Sequence, residues 1–124
     1  MPKPSTAIKP ERLAQLCASI AADKKAERIV AIDLRGISTF TDFFLVCSGT
    51  SEPHLKAIAS ELQDRLWKEH KIKPLVVDGF PQSQWIVAHF GEVVVHIFAD
   101  EKRSYYALED LWGDAPRLKL KSAA

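Results

Sequence analysis

Histidine and cysteine side chains are the first candidates for metal binding or nucleophilic catalysis in this chain, which has four histidines and two cysteines. The histidines lie on different predicted elements and no Cys-x-x-Cys spacing occurs, so the sequence does not bring metal ligands together. Cys47, with His96 as its conceivable base, is the one candidate for an activated thiol. Both cysteines have apolar neighbours, however, which is typical of buried core thiols. We therefore predict no metal site, no cofactor and no catalytic cysteine.

A second candidate is the turn Ser48-Gly49-Thr50-Ser51, which follows a predicted strand and precedes a predicted helix. A helix N-terminus in this position can hold phosphate. Metal-assisted phosphoryl transfer also needs paired carboxylates, and neither an Asp-x-Asp pair on a strand nor a P-loop spacing is present. Ser51 is explained as a helix N-cap. We therefore predict a protein that is not an enzyme, with a degenerate nucleotidyltransferase-like enzyme or nucleotide-binding protein as the alternative.

A third candidate combines Trp67 with Lys71 and Lys73. Aromatic side chains interleaved with basic ones hold single-stranded nucleic acid by stacking and charge. The same pattern arises when lysine stems lie along a helix face, so both interpretations stay open. Sequence-specific recognition of nucleic acid is not predicted.

Length and composition bound what these residues can do. The chain has 124 residues, 47% hydrophobic and 27% charged, with a formal net charge of +1. These values predict one ordinary domain with its own core, and they argue against nucleic-acid binding by bulk charge. No run approaches the roughly 18 apolar residues that would cross a bilayer. With no signal-peptide core at the N-terminus and only two cysteines, we expect a cytoplasmic protein with no membrane partner.

Hydrophobic periodicity places the elements that position these residues. Helices are predicted over about residues 10–23, 51–70 and 102–112, and strands over 29–34, 43–47, 74–77, 84–90 and 93–98. The order is αββαβββα, an α+β fold with a mixed β-sheet of about five strands and helices mainly on one face. A flexible arm (1–9) precedes the domain (10–115), and a loose basic tail (116–124) follows it.

The predicted hairpin is apolar on both faces. In its first strand Trp85, Val87 and His89 point to one side, and Ile86 and Ala88 to the other. If the helices cover one face, the second face needs another cover. A partner protein, a helix that crosses the sheet and a second copy of the chain all remain open.

Charge is unevenly distributed along the chain. Residues 1–28 carry a net charge of +3, residues 78–114 carry seven acids and two bases for a net −5, and the tail carries +3. The near-neutral total therefore hides an acidic hairpin-and-helix region. Such a region repels phosphate and favours encounter with a basic protein surface, unless it is simply a solvated face.

Several blocks of sequence together resemble the ribosomal silencing factor (Iojap) family. They are Asp42-Phe43-Phe44-Leu45-Val46, Ser48-Gly49-Thr50-Ser51, Ala57-Ile58-Ala59, Trp85-Ile86-Val87, Gly91-Glu92-Val93-Val94-Val95-His96-Ile97-Phe98, and Arg103-Ser104-Tyr105-Tyr106-Ala107-Leu108-Glu109-Asp110-Leu111-Trp112. The resemblance covers about residues 10–115 and keeps the order and spacing of every block.

The resemblance implies a nucleotidyltransferase-like topology without a transferase role. It implies a repressor that binds the large ribosomal subunit through its protein fourteen and sterically blocks association with the small subunit. It also implies a homodimer when the protein is free. These expectations agree with an acidic surface and with the lack of a catalytic constellation.

The resemblance also suggests partner-binding residues. Trp85 is the expected anchor, with Ile86 beside it, because buried aromatic anchors dominate interface energetics. Tyr105, Tyr106 and Glu109 match the final helix of the family and are expected on the same surface, with core packing as the open alternative for Tyr106. His89 stands where the family usually has aspartate, which predicts pH-sensitive docking, since histidine titrates near neutrality.

Overall fold

The computed structural model describes residues 8–80, 84–106 and 112–120, and of Phe80 and residues 104–106 it describes the backbone alone. Three helices and six strands follow one another along the chain. They are α1 (Pro10–Asp23), β1 (Glu27–Asp33), β2 (Phe43–Gly49), α2 (Glu52–His70), β3 (Val76–Phe80), β4 (Trp85–His89), β5 (Val93–Ala99), α3 (Asp100–Tyr106) and β6 (Arg117–Leu118). The predicted α+β class is confirmed.

The two long helices form as their sequence signals predict. Helix α1 begins at Pro10, where the missing backbone donor costs nothing, and it buries six small or apolar residues along one side. Helix α2 begins after Ser51, whose side chain accepts a hydrogen bond from the backbone N–H of His54 at 3.2 Å. Its buried stripe recurs at offsets of three and four, which is the period of a helix packed on one side.

The strands form one mixed sheet in the order β3-β4-β5-β2-β1-β6. Strands β2 and β5 are parallel neighbours at its centre, and the other pairs are antiparallel. All seven residues of each central strand are buried, as expected for strands covered on both faces. Strand β3 lies at one edge and β6 at the other.

Each face of the sheet has its own apolar core. One core joins the sheet to α1 and α2. The other lies on the opposite face, and we call it the second-face cluster. Its buried members are Ile32, Leu34, Phe44, Val46, Val94, Phe98 and Ala115, with Val30, Trp85, Val87 and Trp112 packed against them.

The sheet has one strand more than predicted. Arg117 and Leu118 pair antiparallel with Ile32 and Ala31 of β1, within the segment expected to be a loose tail, and Asp33 donates its N–H to the carbonyl oxygen of Pro116 at 2.8 Å. A strand of two residues is too short to show an alternating period, so the pattern gave no signal. Helix α3 begins two residues earlier than predicted, and residues 107–111 of the predicted helix lie outside the described residues.

Among the helices in the described ranges, none combines the length and apolarity needed to cross a membrane.

Candidate functional site

Strand β4 presents its side chains alternately to the two faces of the sheet. Ile86 packs in the core formed with α1 and α2, whereas Trp85 and Val87 pack on the second-face cluster. Trp85 and Ile86 are neighbours in sequence but lie on opposite faces, because successive strand residues point in opposite directions. This placement is the alternation predicted from the sequence for the first strand of the hairpin. Ile86 packs in the core beneath the sheet.

Trp85 is half-buried and held in a fixed orientation. Its indole Nε1 donates a hydrogen bond to Nδ1 of His96 at 3.2 Å, and its ring stacks on Phe98 with 5.0 Å between ring centroids. A tryptophan with a satisfied N–H and a packed ring is pre-organised, so a partner that covers it need not immobilise it. This geometry suits an interface anchor.

His96 lies beneath Trp85 and is 6% exposed. Burial, with a smaller contribution from His89, lowers its pKa from 6.5 to about 4. Nδ1 accepts from Trp85, so the neutral ring carries its proton on Nε2. That atom is buried, and no hydrogen-bond partner for it is present within the described part of the chain. The neutral imidazole is therefore a fixed acceptor for Trp85 rather than an acid or a base.

Aromatic side chains continue from Trp85 to a surface loop. The ring of His96 contacts Phe44 with 4.5 Å between centroids, and Phe44 contacts Phe40 at 6.2 Å. We call Trp85, His96, Phe44 and Phe40 the aromatic row. Phe40 is 60% exposed in the loop between β1 and β2. The row thus connects the half-buried Trp85 to an exposed ring.

Phe40 is not among the site residues predicted from the sequence. Its loop reads as a polar turn, and Ile37 in the same loop is also exposed. An aromatic residue inside an otherwise polar turn is the signal that could have identified it. Large exposed apolar side chains of this kind often mark a binding surface.

The second face of the sheet is largely covered by the chain itself. Phe44, Val94 and Phe98 are 6%, 3% and 0% exposed, and Trp112 packs edge-on against Phe44 with 6.1 Å between centroids. Ala115 also lies in this cluster. The centre of the expected apolar face is therefore buried, and its side chains are accessible at the rim, at Trp85 and Phe40.

The remaining predicted site residues are placed only in part. His89 lies on the same side of β4 as Trp85, at the other end of the strand, and its Nδ1 accepts a hydrogen bond from the N–H of Gly91 at 3.2 Å. Tyr105 and Tyr106 end helix α3, and the structure describes their backbone alone. Glu109 lies outside the described residues.

Three described acidic side chains of the region 78–114, besides Asp100, lie exposed on elements that adjoin the second-face cluster. Asp78 pairs with Val87 across β3 and β4, so it lies on the same face as Trp85. Glu101 is on the first turn of α3, and Asp114 precedes Ala115 of the second-face cluster. Asp100 is different, because its Oδ1 accepts from Nη2 of Arg28 at 2.7 Å, so this carboxylate is compensated. The exposed acids near the row favour a basic partner.

The candidate phosphate-binding turn is occupied by its own side chains. Nδ1 of His54 accepts from the N–H of Thr50 at 2.9 Å, and Nε2 donates to the carbonyl oxygen of Lys24 at 2.7 Å. Ser51 accepts from the N–H of His54 as the N-cap. This turn closes the start of α2 and joins it to the end of α1.

Neither cysteine is built for nucleophilic attack. Burial raises the pKa of Cys17 and of Cys47 to about 12, so both remain thiols at neutral pH. In the ranges that the structure describes, no three histidine, cysteine or carboxylate side chains come together as a metal-binding group.

Comparison with known proteins agrees with this architecture. Residues 7–124 match the model of the family described as "Ribosomal silencing factor during starvation". A ribosomal silencing factor from Halalkalibacterium halodurans is 44% identical over 111 residues, which cover 90% of this chain and 94% of that protein. The chloroplastic Iojap protein of Arabidopsis thaliana is 34% identical over 103 residues, 83% of this chain and 42% of that protein.

Two solved structures have the same fold. A crystal structure from Bacillus halodurans matches with a TM-score of 0.74 and 42% identity, covering 87% of this chain and 97% of the other. A crystal structure from Chromobacterium violaceum matches with a TM-score of 0.80 and 26% identity, covering 94% and 97%. The match spans nearly the whole sequence and extends to the fold, so this chain belongs to the ribosomal silencing factor family.

Proposed function

We propose that this chain represses translation in the cytoplasm by binding the large ribosomal subunit through its protein fourteen and sterically blocking association with the small subunit. Membership of the ribosomal silencing factor family is the observation that carries the proposal. The aromatic row and the exposed acids beside it support protein-to-protein docking on a basic surface. The action needs no catalysis, since the bound domain excludes the small subunit by its volume.

Within this proposal Trp85 is the anchor and Phe40 extends the contact. His89 lies on the same side of β4 as Trp85 and stays a proposed member of the surface. Tyr105, Tyr106 and Glu109 stay proposed members of the surface. Ile86 supports the anchor from beneath the sheet, where it packs against the helices.

The anti-association activity is tested with separated ribosomal subunits in a sucrose gradient. We expect the native protein to shift the equilibrium from joined ribosomes to free subunits. If joined ribosomes form equally with and without the protein, the proposed repression mechanism is wrong. Calorimetry with nucleoside triphosphate and magnesium tests the alternative, a nucleotide-binding enzyme, and stoichiometric binding with turnover would replace our proposal.

The anchor is tested by co-sedimentation with large subunits. Trp85→Ala and Phe40→Ser are both expected to weaken binding, by about tenfold or more for the tryptophan if it acts as a hot spot. Phe40 is mostly exposed, so Phe40→Ser preserves the fold even if Trp85→Ala loses stability. Arg12→Ala is the control, because it truncates an exposed side chain on α1, which packs on the face of the sheet opposite to Trp85. Equal binding by all three variants would rule out the aromatic row as the interface.

We also propose that the free protein is a homodimer. Strand β3 supports this, because it is a sheet edge whose Val76 and Val77 remain exposed at 51% and 36%. Exposed apolar edges are templates for pairing with another chain, and a lysine on the edge opposes it. Light scattering coupled to gel filtration should find a dimer for the native chain and a monomer for Val76→Lys. A dimer in both would place the contact elsewhere.

A further inference from the structure

Exposed aromatic and basic side chains also gather where α2 ends. Trp67, in the last turns of α2, is 42% exposed. Nζ of Lys71 and Nζ of Lys73 lie 4.9 and 4.8 Å from the centroid of its ring. We call these three residues the Trp67 cluster. Both ammonium groups lie over the ring in cation–π contacts, so a planar partner that stacks on this indole displaces a lysine from it and leaves that lysine able to meet a neighbouring anionic group. The cluster thus combines planar apolar surface with positive charge.

The backbone holds both lysines beside the ring. Lys71 ends the helix in the left-handed conformation, with φ 59° and ψ 34°, and donates its N–H to the carbonyl oxygen of Trp67 at 2.9 Å. Glycine usually occupies such a position at lower cost. Ile72 is 3% exposed and donates its N–H to Leu66 at 3.1 Å, which anchors the segment between the two lysines. Lysine therefore occupies a left-handed backbone position that glycine would adopt at lower cost.

The positive charge of the cluster is not neutralised nearby. Neither Lys71 nor Lys73 has a carboxylate within 4 Å among the residues for which side chains are described. The closest acid in sequence, Glu69, accepts from Arg65 at 3.4 Å. The two ammonium groups can therefore contact an anionic partner without first breaking an ion pair.

We propose that the Trp67 cluster binds a single-stranded segment of RNA, with a base stacked on Trp67 and the flanking phosphates on Lys71 and Lys73. Stacking accepts any base and lysine contacts any phosphate, so binding is independent of sequence. An acidic peptide would use the lysines but leave the indole without a stacking partner. The biological target rests on the proposed ribosome association, since the large subunit exposes RNA beside its proteins.

The cluster is spatially separate from the proposed protein contact. Lys73 lies two residues before Leu75, whose N–H donates to the carbonyl oxygen of His89 at the end of β4. Trp85 is at the opposite end of that strand, about 13 Å away at the usual strand rise. Trp85 also lies on the face opposite to α2. One domain can therefore bind protein and RNA together.

The test is fluorescence anisotropy with a labelled oligouridine of about twelve nucleotides, long enough for a typical single-strand site. Trp67→Gln is expected to weaken binding about five- to hundredfold, the range measured for loss of one stacked base. Lys71→Asn with Lys73→Gln should lower the slope of log affinity against log salt by about 1.4, for two phosphate contacts to a single strand. Asparagine tolerates the left-handed conformation, so the helix end is preserved.

Matched variants make the result specific. Lys56→Gln with Lys119→Gln removes the same formal charge from other elements and should bind oligouridine like the native protein. Trp67→Phe keeps a stacking ring and should restore most of the affinity lost in Trp67→Gln. Equal affinity of Trp67→Gln and native protein, or an equal loss in the Lys56 and Lys119 control, would overturn the proposal.

The outcome is independent of the ribosome-binding test. Trp85→Ala and Phe40→Ser should lose large-subunit binding and keep oligouridine binding. If neither the native protein nor any variant binds large subunits, and Trp67→Gln alone loses affinity for oligouridine, the proposed function fails and the RNA site stands. If Trp67→Gln loses large-subunit binding but keeps oligouridine affinity, the occupant is a protein and the RNA site is refuted.

Discussion

At the scale of single residues, His96 links the orientation of Trp85 to the protonation state of a buried ring. Nδ1 accepts from the indole, and aromatic side chains, Phe44 among them, pack around the imidazole. Protonation would place a charge in this apolar environment and convert the acceptor into a donor that faces another donor. The same residue that fixes the orientation of Trp85 therefore makes the fold sensitive to acid.

This coupling predicts how stability depends on pH. The pKa of His96 is about 4 in the folded protein and near 6.5 when the chain is unfolded. Because the folded value is lower, the stability that comes from the neutral ring is present above pH 6.5 and declines as the pH falls toward 4. One pKa unit corresponds to about 1.4 kcal/mol, so we expect a loss of about 2 kcal/mol between pH 6.5 and 5.

Urea unfolding of the native protein and of His96→Gln at several pH values checks this expectation. Glutamine retains an acceptor for the indole but does not titrate, so the variant should lose most of the pH dependence above pH 5. His89→Gln is the control for the neighbouring histidine. An unchanged pH profile in His96→Gln would show that other groups, such as carboxylates, cause the acid sensitivity.

At the scale of elements, the sequence predicted best what depends on local period and capping. Ser51 caps α2 as its position before Glu52 and Pro53 indicated, and the alternation in β4 separates Trp85 from Ile86 as strand geometry requires. What it missed depends on contacts distant in sequence. Strand β6 exists because β1 offers a free edge, and Phe40 matters because folding brings it to Phe44.

The turn from β2 into α2 depends on the close approach of atoms that are near one another in sequence. A Cβ on Gly49 would lie 2.6 Å from Cδ2 of Leu55 and 3.1 Å from Nδ1 of His54. Leu55 is 1% exposed, so its methyl group has little room to move. Glycine is therefore required here to let the helix begin directly after the strand.

Gly49→Ala is accordingly expected to lower the free energy of unfolding by about 1 to 3 kcal/mol, the usual cost of overpacking a core. Gly79→Ala is the control, because its Cβ would meet Ile86 at an ordinary 3.9 Å. That variant should change stability by less than about 0.5 kcal/mol. Thermal and urea denaturation measure both, and equal stability of the two variants would contradict the close-packing argument.

At the scale of the whole molecule, the small net charge conceals a separation of positive and negative charge. The Trp67 cluster carries positive charge at the end of α2, and exposed acids lie near the aromatic row on the other side of the sheet. A uniformly basic surface would bind RNA through any of its sides, so the domain would have no preferred orientation on its target. Two surfaces of opposite charge instead favour one orientation on a target that presents both a basic protein and RNA.

The acids near the aromatic row should therefore control how fast the domain meets its target. Glu101→Gln with Asp114→Asn is expected to slow association with large subunits several-fold at low salt and to leave dissociation nearly unchanged, because exposed charges steer encounter more than they hold the complex. Glu27→Gln with Glu61→Gln changes the net charge equally on other elements and should have a smaller effect. Stopped-flow measurements at increasing salt separate the two, since steering is screened beyond about 10 Å at 0.1 M ionic strength. If both pairs slow association equally, net charge rather than the placement of the acids governs encounter, and the argument for an oriented approach fails.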